Sequence, residues 1–157
     1  MIEKANVQDA GEIYGIIRKS ASKGVVLPRP LSEIYEHVRE FFVFRRKNKI
    51  LGILALHIVW EDIAEIRSLV VDKKHREKGI GKQLVKRALQ EAGMLNLPRV
   101  FALTREEKFF LCLGFKRTSK NKLPQKVWAD CIDCPLFPDC DEVPVIYCLK
   151  KTAKSKR

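Results

Sequence analysis

The densest chemistry in the chain lies in Val70-Val71-Asp72-Lys73-Lys74-His75-Arg76-Glu77-Lys78-Gly79-Ile80-Gly81-Lys82. An apolar strand there runs into an Arg-x-x-Gly-x-Gly loop that opens directly into a helical pattern. Helix N-termini carry unpaired N–H groups and a partial positive charge, so they bind phosphate. Glycines at 79 and 81 let the backbone approach an anion closely and take positive φ without strain. Lys73, Lys74, Arg76, Lys78, Lys82, Lys86 and Arg87 surround the loop, against only Asp72 and Glu77. The spacing is not that of Walker A, which needs Gly-Lys-Ser/Thr, nor of the Gly-x-Gly-x-x-Gly dinucleotide fingerprint. By itself the segment reads as a phosphate site, the plain alternative being a glycine-rich turn with a solvated basic face.

A second group of reactive side chains is Cys131-x2-Cys134-x5-Cys140, with Cys148 eight positions further on. Tetrahedral structural zinc takes four ligands, usually in two close pairs. Only one such pair is present, and Cys148 falls in a predicted strand. No metal is therefore expected, and Cys131, Cys134 and Cys140 read as packing or redox cysteines before zinc ligands. From Trp128 to Glu142 five residues are acidic and none is basic, in an otherwise basic chain. That reversal can attract a cationic group of a ligand, dock on a basic face of a second subunit in a homodimer, or be a solvated loop.

The scaffold that must position these groups is one globular domain. The chain has 157 residues, 46% apolar and 32% charged, enough for one sizeable core and too few for two. Its longest nearly uncharged apolar run, Ile50 to Trp60, falls well short of the roughly 20 residues needed to cross a bilayer. Glu3, Lys4, Asn6 and Gln8 leave no secretory apolar region at the start. Free cysteines in a chain read as leaderless point to a reducing compartment, the cytoplasm.

Net charge is +12, and five of the positive charges lie in the last eight residues, a basic tail over 150–157 that is expected to fray. The remaining +7 calls for an anionic partner: nucleic acid, a membrane surface or a phosphate-bearing small ligand. A nucleic-acid-binding module with a zinc knuckle is disfavoured, because the basic residues collect on a glycine loop and a tail without an aromatic stacking stripe.

Periodicity supplies the elements. Ile2 to Ala5 reads as an opening strand, and Ile13, Ile16 and Ile17 place a helix over Asp9–Ser20 with Asn6 or Asp9 as its cap. A second helix is predicted from Ser32 through Arg39, started by Pro30. Strands follow at Phe41–Arg46, Ile50–Trp60 and Ile63–Val71, the first two joined by Lys47-Asn48-Lys49. Leu84, Val85, Ala88, Leu89 and Ala92 form the stripe of a helix over Gly81–Ala92. A strand at Arg99–Leu103, a short helix at Glu106–Leu113 stopped by Gly114, and strands at Phe115–Thr118 and Val143–Leu149 close the domain, residues 1–149. The strand, helix and strand between Ile63 and Leu103 form a βαβ unit with parallel strands. The fold class is α/β, a mixed sheet of six to seven strands with about four helices.

Arg76-x-x-Gly79-Ile80-Gly81, preceded by Leu69-Val70-Val71 and followed by the amphipathic helix, resembles the acetyl-CoA loop of the GNAT acetyltransferase superfamily. Phe109-Phe110-Leu111-Cys112-Leu113-Gly114-Phe115 is similar to that family's late helix. The resemblance implies that acetyl-CoA is the co-substrate. It implies a cofactor site of Leu69, Val70, Val71, Arg76, Glu77, Lys78, Gly79, Ile80, Gly81, Lys82 and Phe109. The loop amides would hold the pyrophosphate, and the backbone of Leu69 to Val71 would pair with the pantetheine arm. Phe110 stands where many members carry a tyrosine proposed to protonate the departing thiolate, so that acid is missing here. Cys112 nearby reads as a buried structural thiol, and His57 as a hydrogen-bonded core histidine.

Val26-Leu27-Pro28-Arg29, Ala55-Leu56-His57 and Ala64-Glu65-Ile66-Arg67-Ser68-Leu69-Val70-Val71 are similar to the short, kinase-less N-acetylglutamate synthases. The stretch from Lys126 to Cys140 resembles one branch of that group. The implied reaction moves acetyl to the α-amino group of L-glutamate, the entry step of arginine biosynthesis. An α-amino group is mostly ammonium at neutral pH and must lose a proton before it attacks. Glu65 is the candidate base; its alternative is a solvated strand carboxylate paired with Arg67. Two acceptor carboxylates suit arginine's bidentate fork, which makes Arg29 and Arg67 the candidate acceptor ligands.

Overall fold

The computed structural model describes residues 1–24, 26–76, 78–124 and 142–149. Its elements are β1 (Ile2–Lys4), α1 (Ala10–Ala21), α2 (Leu31–Glu36), β2 (Phe41–Arg46), β3 (Lys49–Trp60), β4 (Ile63–Val71) and α3 (Ile80–Met94), then β5 (Arg99–Thr104), α4 (Glu107–Cys112), β6 (Lys116–Arg117) and β7 (Val143–Cys148). The strands run β1-β2-β3-β4-β5-β7-β6 in a seven-stranded sheet. Antiparallel β1/β2 and β2/β3 pairs and a parallel β4/β5 pair make it a mixed sheet, the α/β class that the periodicities predict. No helix among the described residues is long and apolar enough to cross a membrane.

Two compact units share the chain: Met1–His57 with Ile66–Gln90, and Ile58–Glu65 with the residues from Glu91 onward. In the first, β2 and β3 form a hairpin that pairs Arg46 with Lys49. Lys47 and Asn48 take φ of 51° and 60°, the left-handed pair of a two-residue turn whose twist matches the strands. Lys49 therefore belongs to β3 and not to the turn. Asn6 caps the turn before α1: its Oδ1 accepts from Gln8 N–H at 2.9 Å while Asp9 Oδ2 accepts from Asn6 N–H at 2.9 Å. Arg45 ties Asp9 and Glu3 together at 2.7 and 2.8 Å. Ile13 and Ile17 of α1 are fully buried with Ile34, Phe41, Val43 and Ile53 in the core of this unit, and Ile16 packs against it.

The predicted second helix ends early. His37 leaves helical geometry (φ −112°, ψ 18°), and Val38–Glu40 tighten into a 3-10 turn so that Phe41 enters β2 buried. Of the expected stripe of α3, Leu84, Val85, Ala88 and Ala92 are buried and Leu89 is half-buried, and Ile80, at the start of the helix, is buried with them. It lies very close to β3 at Gly52, where a Cβ would stand 2.9 Å from Ile80 Cγ2 and 3.0 Å from Leu84 Cδ1.

In the second unit Ile63, Ala64 and Glu65 of β4 pair in parallel with Arg99, Val100 and Phe101 of β5. β5 pairs antiparallel with β7 along its whole length. α4 ends in a Schellman-type cap: Phe115 N–H donates to Phe110 C=O at 3.1 Å while Gly114 takes φ of 96°. Phe115 is thereby held in the cap, and β6 covers two residues instead of the four predicted. Phe110, Phe115 and Tyr147 stack edge-on or tilted at 5.0 and 5.3 Å, fastening α4 to β7.

Gly52→Ala tests the α3 seat. Ile80 Cγ2 is close to its own backbone and yields little, so overpacking is expected to cost about 1–3 kcal/mol. A thermal melt should show a Tm lower by several degrees; an unchanged Tm would mean the helix shifts freely.

Candidate active site

β4 runs out at Val71, and the next residue begins a stapled loop. Asp72 N–H donates to the Leu51 carbonyl at 2.7 Å. The Asp72 carboxylate meets the His75 ring at 2.8 Å across the 3-10 turn Lys73–His75. That hydrogen bond holds the Asp72 carboxyl below its usual range, with the positive charge of Lys49 adding to it. Arg76 is extended, Gly79 takes φ of 79°, and α3 begins at Ile80. Gly79 C=O accepts from Gln83 N–H at 3.0 Å, so the amides of the first turn that follow have no partner within the helix.

Among the described residues, a Cβ at Gly79 would meet nothing within 4 Å, which leaves space over these amides. Lys73, Lys74, Arg76, Lys78 and Lys82 are all exposed around it. Open space, a fifteen-residue helix and five exposed cations fit a polyphosphate such as the pyrophosphate of CoA. One expectation is corrected. Gly81 is the second residue of α3 and does not take positive φ; Gly79 alone of the two makes that turn. Glu77 lies outside the described residues, as do Cys131, Cys134, Cys140 and the basic tail.

Leu69, Val70 and Val71 end β4, with Val70 buried and its neighbours half-buried. Just before them Ser68 sits at φ 54°, a left-handed residue inside a strand. For a residue with a Cβ this costs about 1–2 kcal/mol, and such strain collects at functional positions. Its Oγ accepts from Arg29 Nη1 at 3.3 Å.

Arg29 is not the surface cation that a proline-rich loop would give. Its side chain is 9% exposed, Nε donates to Glu33 Oε1 at 3.0 Å, and the guanidinium lies 5.2 Å from the Phe41 ring centroid. Beside it, Tyr14, Arg18, Ala21, Ser22 and Pro28 line a hollow of about 300 Å³. Two arginines and a tyrosine are therefore among the residues that border one space. Sequence reasoning missed Tyr14, Arg18 and Ser68, since α1 reads as an ordinary amphipathic helix and no motif marks a strained serine.

Glu65 is 8% exposed, a buried strand carboxylate and not a solvated one. Arg67 is half-buried two residues on. Phe109 is half-buried and meets Phe110 edge-on at 5.1 Å, while Phe110 is 3% exposed. Cys112 overturns its expectation: it is exposed, because it stands two residues and about 200° around α4 from buried Phe110. His57 is half-buried and hydrogen-bonded as expected, its Nδ1 lying 2.9 Å from Glu40 Oε2.

Comparison with known proteins bears on the family and the fold. The profile of the acetyltransferase (GNAT) family matches residues 12–115. An uncharacterized N-acetyltransferase of Chlorobaculum tepidum is 37% identical over 148 residues, covering 94% of this chain and 96% of that protein. An amino-acid acetyltransferase of Mycobacterium tuberculosis is 38% identical over 131 residues, 82% of this chain and 75% of that one. The crystal structure of N-acetylglutamate synthase from Neisseria gonorrhoeae, complexed with coenzyme A and N-acetyl-glutamate, superposes with a TM-score of 0.89 at 24% identity. This chain is covered to 96% and spans 35% of that one, a likeness of fold.

Gly79→Ala isolates the loop. In the free Gly79→Ala protein the loop is expected to relax away from φ 79°, so CoA binding must restore a conformation that costs an L-residue about 1–2 kcal/mol, and affinity should fall roughly tenfold with little change in Tm. Isothermal titration with CoA reads this directly, and undiminished affinity would remove Gly79 from the site.

Proposed function

The chain belongs to the acetyltransferase (GNAT) family, and from that premise we propose that it acetylates the α-amino group of an amino acid, L-glutamate by preference. Membership makes it an acetyl-CoA-dependent N-acetyltransferase. The amino-acid acceptor is supported by the Mycobacterium tuberculosis relative, named as an amino-acid acetyltransferase. The observation that carries the dicarboxylic choice is Arg29, a covered guanidinium braced by Glu33, Ser68 and Phe41 at the edge of a hollow that Arg18 also lines. A braced guanidinium reads a carboxylate at low entropic cost, and clustered arginines repel cationic acceptors such as polyamines. The entry step of arginine biosynthesis, in the cytoplasm, is the setting that this reading assigns.

Bound acetyl-CoA supplies the thioester carbonyl that the free amine attacks. The exposed cations and first-turn amides around Gly79 hold the polyphosphate, and the Leu69–Val71 backbone holds the pantetheine arm. Arg29 and Arg67 take the acceptor's carboxylates and orient its nitrogen. Glu65 accepts the ammonium proton, directly or through a water, which frees the lone pair for attack. Phe110 has no acidic hydrogen, so the departing thiolate takes its proton from solvent.

Incubation with acetyl-CoA and each L-amino acid in turn, read by mass spectrometry, tests the acceptor. N-acetylglutamate should dominate, and a different dominant product would overturn the glutamate assignment while leaving the family reading intact. Glu65→Gln is expected to lower turnover by about 10²–10⁴ with CoA binding retained; unchanged turnover removes it as the base. Arg29→Lys and Arg67→Lys should each raise the glutamate KM about tenfold, since an ammonium cannot replace a bidentate fork.

A further inference from the structure

Away from the acetyl-transfer machinery, three ligand-type side chains converge. His37 ends α2, and Glu40 closes the 3-10 turn that follows. Their three-residue spacing puts both side chains on one side of that turn. β2 then starts at Phe41, opposite Ala55 of β3. Glu40 is thereby laid beside the part of β3 just past Ala55, where His57 lies.

The result is compact. His57 Nδ1 is 2.9 Å from Glu40 Oε2, and His37 Nδ1 is 3.4 Å from the same oxygen. The imidazole rings stand edge to face with centroids 6.0 Å apart. One ligand atom from each residue lies within 4.8 Å of the other two. The side chains of His37, Glu40 and His57 are 37%, 24% and 18% exposed, so an ion and a water can enter from one side.

Two imidazoles and a carboxylate form a donor set suited to zinc and its transition-metal neighbours and poorly suited to magnesium or calcium, which take oxygen ligands. Zinc bonds of about 2.0–2.2 Å in tetrahedral geometry set ligand atoms roughly 3.3 Å apart. Two of the three edges here are 2.9 and 3.4 Å and the third, between the imidazoles, lies within 4.8 Å, so ring rotation that draws the two nitrogens together completes the arrangement. We propose that His37, Glu40 and His57 bind one divalent transition-metal ion, zinc in the first instance, with water as the fourth ligand. On binding, metal–ligand bonds replace the Nδ1–H hydrogen bonds to Glu40: the Nδ1 proton of each ring passes to solvent, and each ligating imidazole is neutral with its one proton on Nε2, taken up by exchange with solvent where the ring did not already hold it. The ion ties the end of α2 to β3. Glu33, which braces Arg29, lies on the same helix, so the clamp steadies the element behind that arginine.

The experiment uses the full chain, stripped with a chelator and titrated with cobalt(II) and then zinc. The clamp predicts one equivalent bound, visible ligand-field bands without thiolate-to-cobalt charge transfer, and a zinc-dependent rise in Tm. These signals should survive in Cys131→Ser/Cys134→Ser/Cys140→Ser protein. They should weaken at least tenfold in His57→Gln and in His37→Gln; His37 is the more exposed of the pair, so its variant keeps the test decisive if His57→Gln misfolds. No binding, or binding that shows thiolate charge transfer and disappears with the cysteines, would overturn the proposal. Undiminished binding in both histidine variants would do the same.

Discussion

Unpaired amides bind an anion only as well as they are aimed, and in this chain the aim is set by two neighbouring residues of β3. The Leu51 carbonyl takes the Asp72 N–H at 2.7 Å where the basic loop begins. Gly52, next along the strand, lets Ile80 and Leu84 come within about 3 Å of where its Cβ would be, at the point where the loop has become α3. The two ends of the loop are therefore fixed to adjacent positions on one strand. Between them the chain has one left-handed glycine, Gly79, with open space over it. Rigid ends with an open middle are what phosphate capture requires, since binding then spends little on ordering the loop.

The acceptor side depends on a different device. Ser68 holds a left-handed φ of 54° that costs stability, and its hydroxyl reaches the Arg29 guanidinium. Glu33 and Phe41 complete the cradle, so Arg29 is held by a hydroxyl, a carboxylate and an aromatic face at once. An arginine so braced has lost much of its rotamer entropy before any ligand arrives. The strain at Ser68 is offset by the well-packed core of the same unit, where Ile13, Ile34, Phe41 and Ile53 are fully buried. α2 serves both features, carrying Glu33 within it and leading at its end to His37 and Glu40.

Much of this was legible in the sequence. β2 and β4 occupy the predicted spans, Phe41–Arg46 and Ile63–Val71, because strand alternation and turn residues act over two to four positions. The stripe of α3, the parallel βαβ unit and the Gly114 stop are local patterns too, and the Arg-x-x-Gly-x-Gly loop carried the family and its co-substrate with it. Where boundaries slipped, a local competitor won: the Phe115 cap shortened β6, and the 3-10 turn at Val38 shortened α2.

What the tertiary structure decided lies at long separation in the chain. Arg29 and Ser68 are 39 residues apart, and Glu40 and His57 are 17 apart. No periodicity spans such distances. Tyr14 and Arg18 read as one face of an amphipathic helix until Pro28 and Arg29 are folded beside them. The exposure of Cys112 and the helical conformation of Gly81 likewise follow from where each element packs and begins. Residue type and spacing thus determine the elements and the phosphate loop, because those obey near-neighbour sterics and hydrogen bonding. Which side chains meet is settled only when the strands find their register and the helices close over them.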